Sequence, residues 1–247
     1  MSLLERYHQR LQAEDFSPDP DQEAVVHALQ RVADQLKPHE TARGWRTWFS
    51  GNKPGPVRGL YVWGGVGRGK TWLMDMFFDQ VEEPRRQRLH FHRFMQQVHA
   101  ELAQIRQQRN PLELVARRMA REWRLLCLDE FHVVDIGDAV IFAGLLKALF
   151  EQGIVLVTTS NVPPDELYKD GIQRASFLPA IALLQERLEV LPMGGERDFR
   201  VEILTQAKVY HWPHSAQLDA VLFEEFRHLA PSGLQQDGEL LINGRPM

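Results

Sequence analysis

Three things are scarce in this 247-residue chain: cysteine, long apolar runs and any excess of positive charge. The single cysteine, Cys127, has no intrachain partner, which excludes a disulfide scaffold and makes a reducing cytoplasm the expected home. It lies within Leu125-Leu126-Cys127-Leu128, where a small buried residue fits. The longest candidate for a membrane span, Ala139 to Phe150, falls short of the roughly 20 apolar residues a bilayer needs. Lys147 interrupts it, so it reads as a buried helix. The N-terminal residues Met1 to Arg10 carry scattered charge and no apolar stretch before a cleavage site, so no secretory signal is read there. A formal net charge of -4 denies the molecule the positive field of a dedicated nucleic-acid binder, and no nucleic-acid partner is expected. Arginines do cluster locally, at Arg85, Arg86 and Arg88 and again at Arg117, Arg118, Arg121 and Arg124. The second set recurs at helical spacing and reads as a solvated helix face, with a partner-binding or nucleic-acid surface as the other reading.

What is present is the balance of a globular protein, 44% hydrophobic and 25% charged, in a length that suits one main core with a small appendage. The first clearly punctuated helix opens at Asp19-Pro20, an N-cap carboxylate followed by a residue suited to the first helical position, and Lys37-Pro38 closes it. A connector follows to Pro56, with Trp45, Trp48 and Phe49 as its only candidate anchors. Short apolar runs at Gly59 to Trp63, Leu89 to Phe91, Leu125 to Leu128, Ile154 to Thr158 and Leu188 to Leu191 then alternate with helical stretches. Strands that are apolar at every position and alternate with helices predict an α/β fold with a parallel sheet covered on both faces. The predicted division is a helical segment and linker over 1–57, a core over 58–192 and an extension over 193–247. Within the extension a strand is expected at Phe199 to Leu204 and a helix from Ser215 to Leu229.

Gly64-Gly65-Val66-Gly67-Arg68-Gly69-Lys70-Thr71 satisfies the G-x-x-x-x-G-K-[ST] pattern in full, between the strand ending at Trp63 and a helical stretch from Trp72. Glycines at this spacing let successive main-chain amides converge on phosphate oxygens, and the next helix adds its positive end. ATP is the expected ligand. Lys70 would reach its β- and γ-phosphates, and the Thr71 hydroxyl would take one position on Mg²⁺. Arg68 belongs to the loop, but its side chain is expected to point to solvent or a neighbour and carries no assigned chemistry. No Asn-Lys-x-Asp segment is present to read guanine.

Leu125 to Leu128 runs into Asp129-Glu130, an apolar strand ending in two carboxylates. Asp129 suits the metal shell, and Glu130, pointing elsewhere, suits the water that attacks the γ-phosphate. After the Ile154 strand, Asn161 is the candidate to orient that water, against the plainer reading of an Asn that opens the turn before Pro163-Pro164. Arg174, with Arg200 in reserve, is the candidate to reach a phosphate bound by a neighbouring copy; a surface arginine serving local ion pairs is equally open. His90 and His92 read as two imidazoles on one side of a strand, without a third ligand at metal spacing, and so as hydrogen-bonded histidines. Asp138 reads as the N-cap of the helix from Ala139.

At this point the chain resembles a known family, the Afg-type AAA+ ATPases in their ZapE cell-division branch. The resemblance rests on Pro56-Val57-Arg58-Gly59-Leu60-Tyr61-Val62-Trp63, His90-Phe91-His92-Arg93-Phe94-Met95, Leu128-Asp129-Glu130-Phe131 and Thr159 to Tyr168, a long match through Ser160-Asn161-Val162-Pro163-Pro164. It implies a three-layer αβα P-loop fold and Mg²⁺-dependent ATP hydrolysis. It also implies FtsZ as partner, ATP-dependent homo-oligomers, and action in the cytoplasm at the division septum, with peripheral membrane association. Carried onto this sequence, it gives the loop to Gly64 through Thr71, the metal carboxylate to Asp129, the base to Glu130, the sensor to Asn161 and the trans arginine to Arg174. Family members continue past Met247, so a C-terminal lid is expected to be missing. The alternative reading is a nucleotide-dependent adaptor with little turnover.

Overall fold

In the computed structural model, residues 2–13, 18–37, 57–105, 108–194, 241–242 and 245–246 are described. The chain divides into two compact units, Met1–Arg197 and Asp198–Met247. In the second, strands β6 (Leu241–Ile242) and β7 (Arg245–Pro246) pair antiparallel. The strand and helix expected at Phe199 to Leu204 and Ser215 to Leu229 lie outside the described residues, as do Arg200, Trp45, Trp48 and Phe49.

The first unit follows from strands that are apolar at consecutive positions. β1 (Gly59–Gly64), β2 (Arg86–His90), β3 (Leu125–Asp129), β4 (Val155–Ser160) and β5 (Leu188–Met193) form one parallel sheet in the order β2-β3-β4-β1-β5. Successive side chains leave opposite faces of a strand. Leu60, Val62, Leu125, Cys127, Val155 and Val157 therefore pack under α1 (Leu3–Ala13), α2 (Pro20–Leu36) and α3 (Lys70–Gln80). Tyr61, Leu126, Leu128 and Leu156 face α4 (Phe91–Gln104), α5 (Pro111–Glu122), α6 (Ile136–Glu151) and α7 (Leu178–Arg187). Each fully buried Leu or Phe contributes about 1.5–3 kcal/mol, so both covered faces are needed to hold the sheet. The result is the three-layer αβα architecture. β1 lies between β4 and β5 although β2 follows it in the chain, and such a reversal of strand order places the ligand crevice at the strands' carboxyl ends.

A further helix, without the punctuation of α2, precedes Asp19: α1 buries Leu3, Tyr7 and Leu11, one face at four-residue spacing, against α2. Other expectations are corrected. The second strand is Arg86–His90, not Leu89 to Phe91, and helix α4 starts at Phe91. As an edge strand it tolerates the polar residues Arg86, Gln87 and Arg88, which an apolar-run criterion passes over. Consequently His90 ends a strand while His92 rides a helix, where it pairs with Gln96, and the two do not share a strand face. Helix α6 opens at Ile136 with Asp135 as N-cap, its Oδ1 accepting from the Asp138 amide at 2.9 Å, so Asp138 lies inside the first turn. Arg117, Arg118 and Arg121 do line the exposed face of α5, but Arg124 follows the helix and bonds Glu83 and the Leu36 carbonyl, 2.9 Å each. The run Ala139 to Phe150 sits within α6, and no described helix is long and apolar enough to cross a membrane.

Candidate active site

The loop Gly64 to Gly69 joins β1 to α3, whose first residues are Lys70 and Thr71. Its glycines answer two different demands. A Cβ at Gly64 would lie 2.3 Å from the Met193 carbonyl oxygen of the adjacent β5, so only glycine allows the strands to approach there. Gly67 and Gly69 take φ of 80° and 83°, the left-handed region that side chains disfavour. Gly69 is also the N-cap of α3 and supplies no side chain to it, so no capping side chain stands between that helix's N-terminus and a ligand. Lys70 Nζ donates to the carbonyl oxygens of Gly64 and Gly65, 2.7 Å each, and Thr71 is exposed on the first turn.

Asp129 ends β3, two strands from β1 and so about 10 Å across the sheet. Its side chain leaves the same face as Cys127, toward α3, and is almost wholly buried. Arg88, paired with Cys127 across β2 and β3, reaches over to it: Nε donates to Asp129 Oδ2 at 2.6 Å, and Nη1 bonds Asp75 on α3. Burial works against the guanidinium's charge, but hydrogen bonds and attraction from Asp129 and then Asp75 outweigh it, and its pKa is raised above the ordinary value. The other carboxylate oxygen, Asp129 Oδ1, is buried without a hydrogen-bond partner. An anionic oxygen left so is costly, and a hard divalent cation or a water in its shell is the kind of group that relieves it. Asp129 and Thr71 are thus residues that fit Mg²⁺.

Glu130 takes φ of 54°, a left-handed conformation uncommon outside glycine and asparagine. Three contacts hold it. Its amide donates to Thr159 Oγ1 at 3.2 Å, the next amide donates to the Thr159 carbonyl at 2.7 Å, and Phe131 is pinned edge-on against Phe91 with ring centres 4.7 Å apart. Ser160 Oγ donates to the Phe131 carbonyl at 2.8 Å, fastening β4 to the same turn. The Glu130 carboxylate itself is exposed, 3.8 Å from His90 Nδ1.

Asn161 follows β4 directly and is exposed at the same end of the sheet. Arg174 opens a 3-10 turn, Arg174–Ser176, and its guanidinium donates to the Asp165 carbonyl of its own chain. His92 pairs with Gln96 on α4 at 3.0 Å, His90 stands beside Glu130 at the end of β2, and among the described residues no group of three or more metal-binding side chains occurs. Two participants escaped the sequence reading. Arg88 was taken only as part of a basic cluster, and its place two residues before the end of β2, level with the residue two before Asp129, is the signal that marks it. Thr159 is the second: it lies two residues before the exposed Asn161 that the sequence singles out, and it is buried in the fold.

The sequence matches the family model of AFG1-like ATPases over residues 1–247. It is 43% identical over 253 residues to the cell division protein ZapE of Escherichia coli K12, covering 98% of this chain and 68% of that protein. To lactation elevated protein 1 homolog B of Danio rerio it is 41% identical over 189 residues, covering 70% of this chain and 38% of that one. AMPPCP-bound DnaA from Aquifex aeolicus superposes with a TM-score of 0.52 at 14% identity, over 89% of this chain and 64% of that chain, a likeness of fold. Because the family match takes in the whole sequence and not only its generic loop, the chain belongs to the AFG1-like ATPase family.

Proposed function

We propose that this chain binds ATP with Mg²⁺, hydrolyses it, and couples the turnover to FtsZ polymers at the division septum. The observation that carries the enzymatic part is the convergence of the Gly64 to Thr71 loop, the half-satisfied Asp129 carboxylate and the strained Glu130 turn at the carboxyl ends of β1, β3 and β4. Main-chain amides of the loop and Lys70 grip the triphosphate. Mg²⁺, when bound, neutralises charge on the β- and γ-phosphate oxygens, and Thr71 and Asp129 would hold it. Glu130 takes a proton from water as the water oxygen bonds to the γ-phosphorus and the bond to the departing ADP oxygen breaks. Asn161 orients that water, and Arg174 reaches the γ-phosphate from a neighbouring copy in an ATP-dependent homo-oligomer.

The FtsZ partner and the septal location draw on the E. coli relative's name as a cell division protein and on the family resemblance. Phosphate release and labelled-nucleotide binding test the chemistry. Lys70→Ala is expected to lose binding, and Glu130→Gln to keep binding while losing roughly a hundredfold or more of turnover. A Gln variant with wild-type turnover overturns the assignment. Single-turnover measurement separates the hydrolase from the adaptor reading, and sedimentation of FtsZ polymers with ATP or a non-hydrolysable analogue tests the partner.

A further inference from the structure

The phosphate-loop pattern places no demand on position 68, yet Arg68 is one of the most buried charged residues described, 5% exposed. A guanidinium taken from water needs partners, and these come from the N-terminal helices and the end of β5. Arg68 Nη2 pairs with Asp19 Oδ2 at 3.3 Å and donates to the Gly194 carbonyl. The same Asp19 caps α2 through its other oxygen, which accepts from the Asp21 and Gln22 amides at 2.9 and 3.2 Å. Gln22 returns the connection: its Nε2 donates to the Arg68 carbonyl at 3.1 Å, while its Oε1 accepts from the Tyr7 hydroxyl at 3.1 Å. That hydroxyl in turn accepts from the Asp19 amide at 3.2 Å. Burial raises the Tyr7 pKa above its ordinary value, which keeps the O–H a donor. The circuit is closed, and it ties α1 and α2 to the loop through both the side chain and the main chain of one residue.

The main-chain half matters most for a ligand. In a trans peptide the C=O and the following N–H point in opposite directions, so fixing the Arg68 carbonyl on Gln22 turns the Gly69 amide away from Gln22. Gly69 has no freedom to compensate by gaining a side chain, since a Cβ there would meet Gln22 Nε2 at 2.9 Å.

From this we infer that Arg68, Asp19, Gln22 and Tyr7 form a lock through which the N-terminal helix pair sets the loop's grip on nucleotide, and through which nucleotide tightens the docking of those helices. The inference rests on the loop being a nucleotide site, as proposed above. Coupling of this kind is reciprocal, so it is readable from either end. These are positioning residues; none of their side chains touches the phosphates in the proposed mechanism.

Two measurements on the full chain test it: the Kd of a fluorescent ATP analogue with Mg²⁺, and hydrogen exchange of residues 3–13 and 19–36 with and without a non-hydrolysable analogue. Gln22→Ala is expected to weaken binding roughly fivefold to thirtyfold, the usual reach of one buried hydrogen bond and its orphaned partner. Tyr7→Phe keeps the packing and removes only a hydroxyl distant from the ligand, so a roughly twofold to fivefold weakening is expected, with a melting temperature lowered by a few degrees. KM is expected to rise more than kcat falls. In the wild type the analogue slows exchange in both helices, and in Gln22→Ala that slowing shrinks. Wild-type affinity in both variants, with helix exchange indifferent to nucleotide, overturns the lock while leaving the nucleotide site intact. Failure of the wild type to bind sinks the site and the lock together.

Discussion

The carboxyl end of the sheet and the segment from Asn161 to Phe177 share a neighbourhood in sequence reasoning but are built differently. At the sheet's end each candidate is tied to a separate element: Asp129 to β2 and α3 through Arg88, Glu130 to β4 through Thr159, the loop to α1 and α2 through Arg68. In the later segment the Tyr61 hydroxyl holds the Val162 carbonyl at 2.9 Å and the aromatic residues Tyr168 and Phe177 anchor the chain by packing, whereas from Asp165 onward the polar bonds are local, from Arg174 to Asp165, Tyr168 to Ile172 and Ser176 to Gln173. The contrast is the one that the proposed roles require. A residue that works within its own chain is preorganised by buried bonds, and one that serves a neighbour is presented at the surface on an anchored scaffold.

The sharpest way to break that comparison is to separate the two halves of a shared site. Arg174→Ala is expected to lose roughly a thousandfold in turnover, the scale of a trans arginine, with melting temperature and nucleotide Kd close to wild type. Glu130→Gln is expected to be inactive for the opposite reason, loss of the proposed base within its own site. Mixed in equal amounts, the two inactive variants are expected to regain part of the wild-type phosphate release, because a site with intact Glu130 can then receive Arg174 from its neighbour. No recovery on mixing, at concentrations where mass measurement shows oligomers with ATP, would assign Arg174 to its local bond alone.

Arg88 probes the preorganised half. Arg88→Met removes the guanidinium between two carboxylates and leaves the buried Asp129 charge uncompensated, a loss of about 2–4 kcal/mol. Calorimetry should show that as a melting temperature lower by about 5–15 °C. The half-saturating Mg²⁺ concentration for nucleotide binding should rise roughly tenfold to a hundredfold, since a group that orients a metal ligand carries weight of that order. Unchanged Mg²⁺ dependence in a folded variant would reduce Arg88 to a structural ion pair.

How far the sequence anticipates this molecule varies with the kind of signal. β1, β3 and β4 were legible because their residues are apolar on both faces, and the loop because its glycines, lysine and threonine stand at fixed spacing. β2 was not, because an edge strand need not be apolar. Helix α1 offers Leu3, Tyr7 and Leu11 at four-residue intervals, but without the punctuation that announces α2 at Asp19-Pro20. The supporting arginines were invisible for a different reason. Arg68 and Arg88 look like surface charges until the fold brings Asp19 and Asp129 to them across 49 and 41 residues, and spacing along the chain carries no trace of such meetings.

Thr159→Val is a milder intervention at the same end. The substitution keeps the branched shape in β4 and deletes the hydroxyl that accepts the Glu130 amide, leaving that left-handed turn to the main-chain bond from Phe131, the Ser160 bond to the Phe131 carbonyl and the packing of the Phe131 ring. A cost of about 1–2 kcal/mol and a severalfold fall in kcat with little change in nucleotide Kd are expected. The matching change in the surface half, Ser176→Ala, removes a local bond to Gln173 and should leave kcat within error. Equal effects at the two positions would erase the distinction between them.

The smallest expected signal comes from Cys127, at the centre of the buried half. Burial raises its pKa far above the ordinary thiol value, so the thiolate that reacts with alkylating reagents is scarce, and the reagent cannot reach it in the folded sheet. Labelling at pH 8 should therefore be negligible in the native protein and complete in denaturant. Any slow labelling that remains reports opening of β3 against its neighbours. If the loop, Asp129 and the helices above this face are bound into one unit by ligand, ATP with Mg²⁺ should slow that residual labelling further, whereas exchange of the amides from Asn161 to Gln173 should respond to subunit concentration instead.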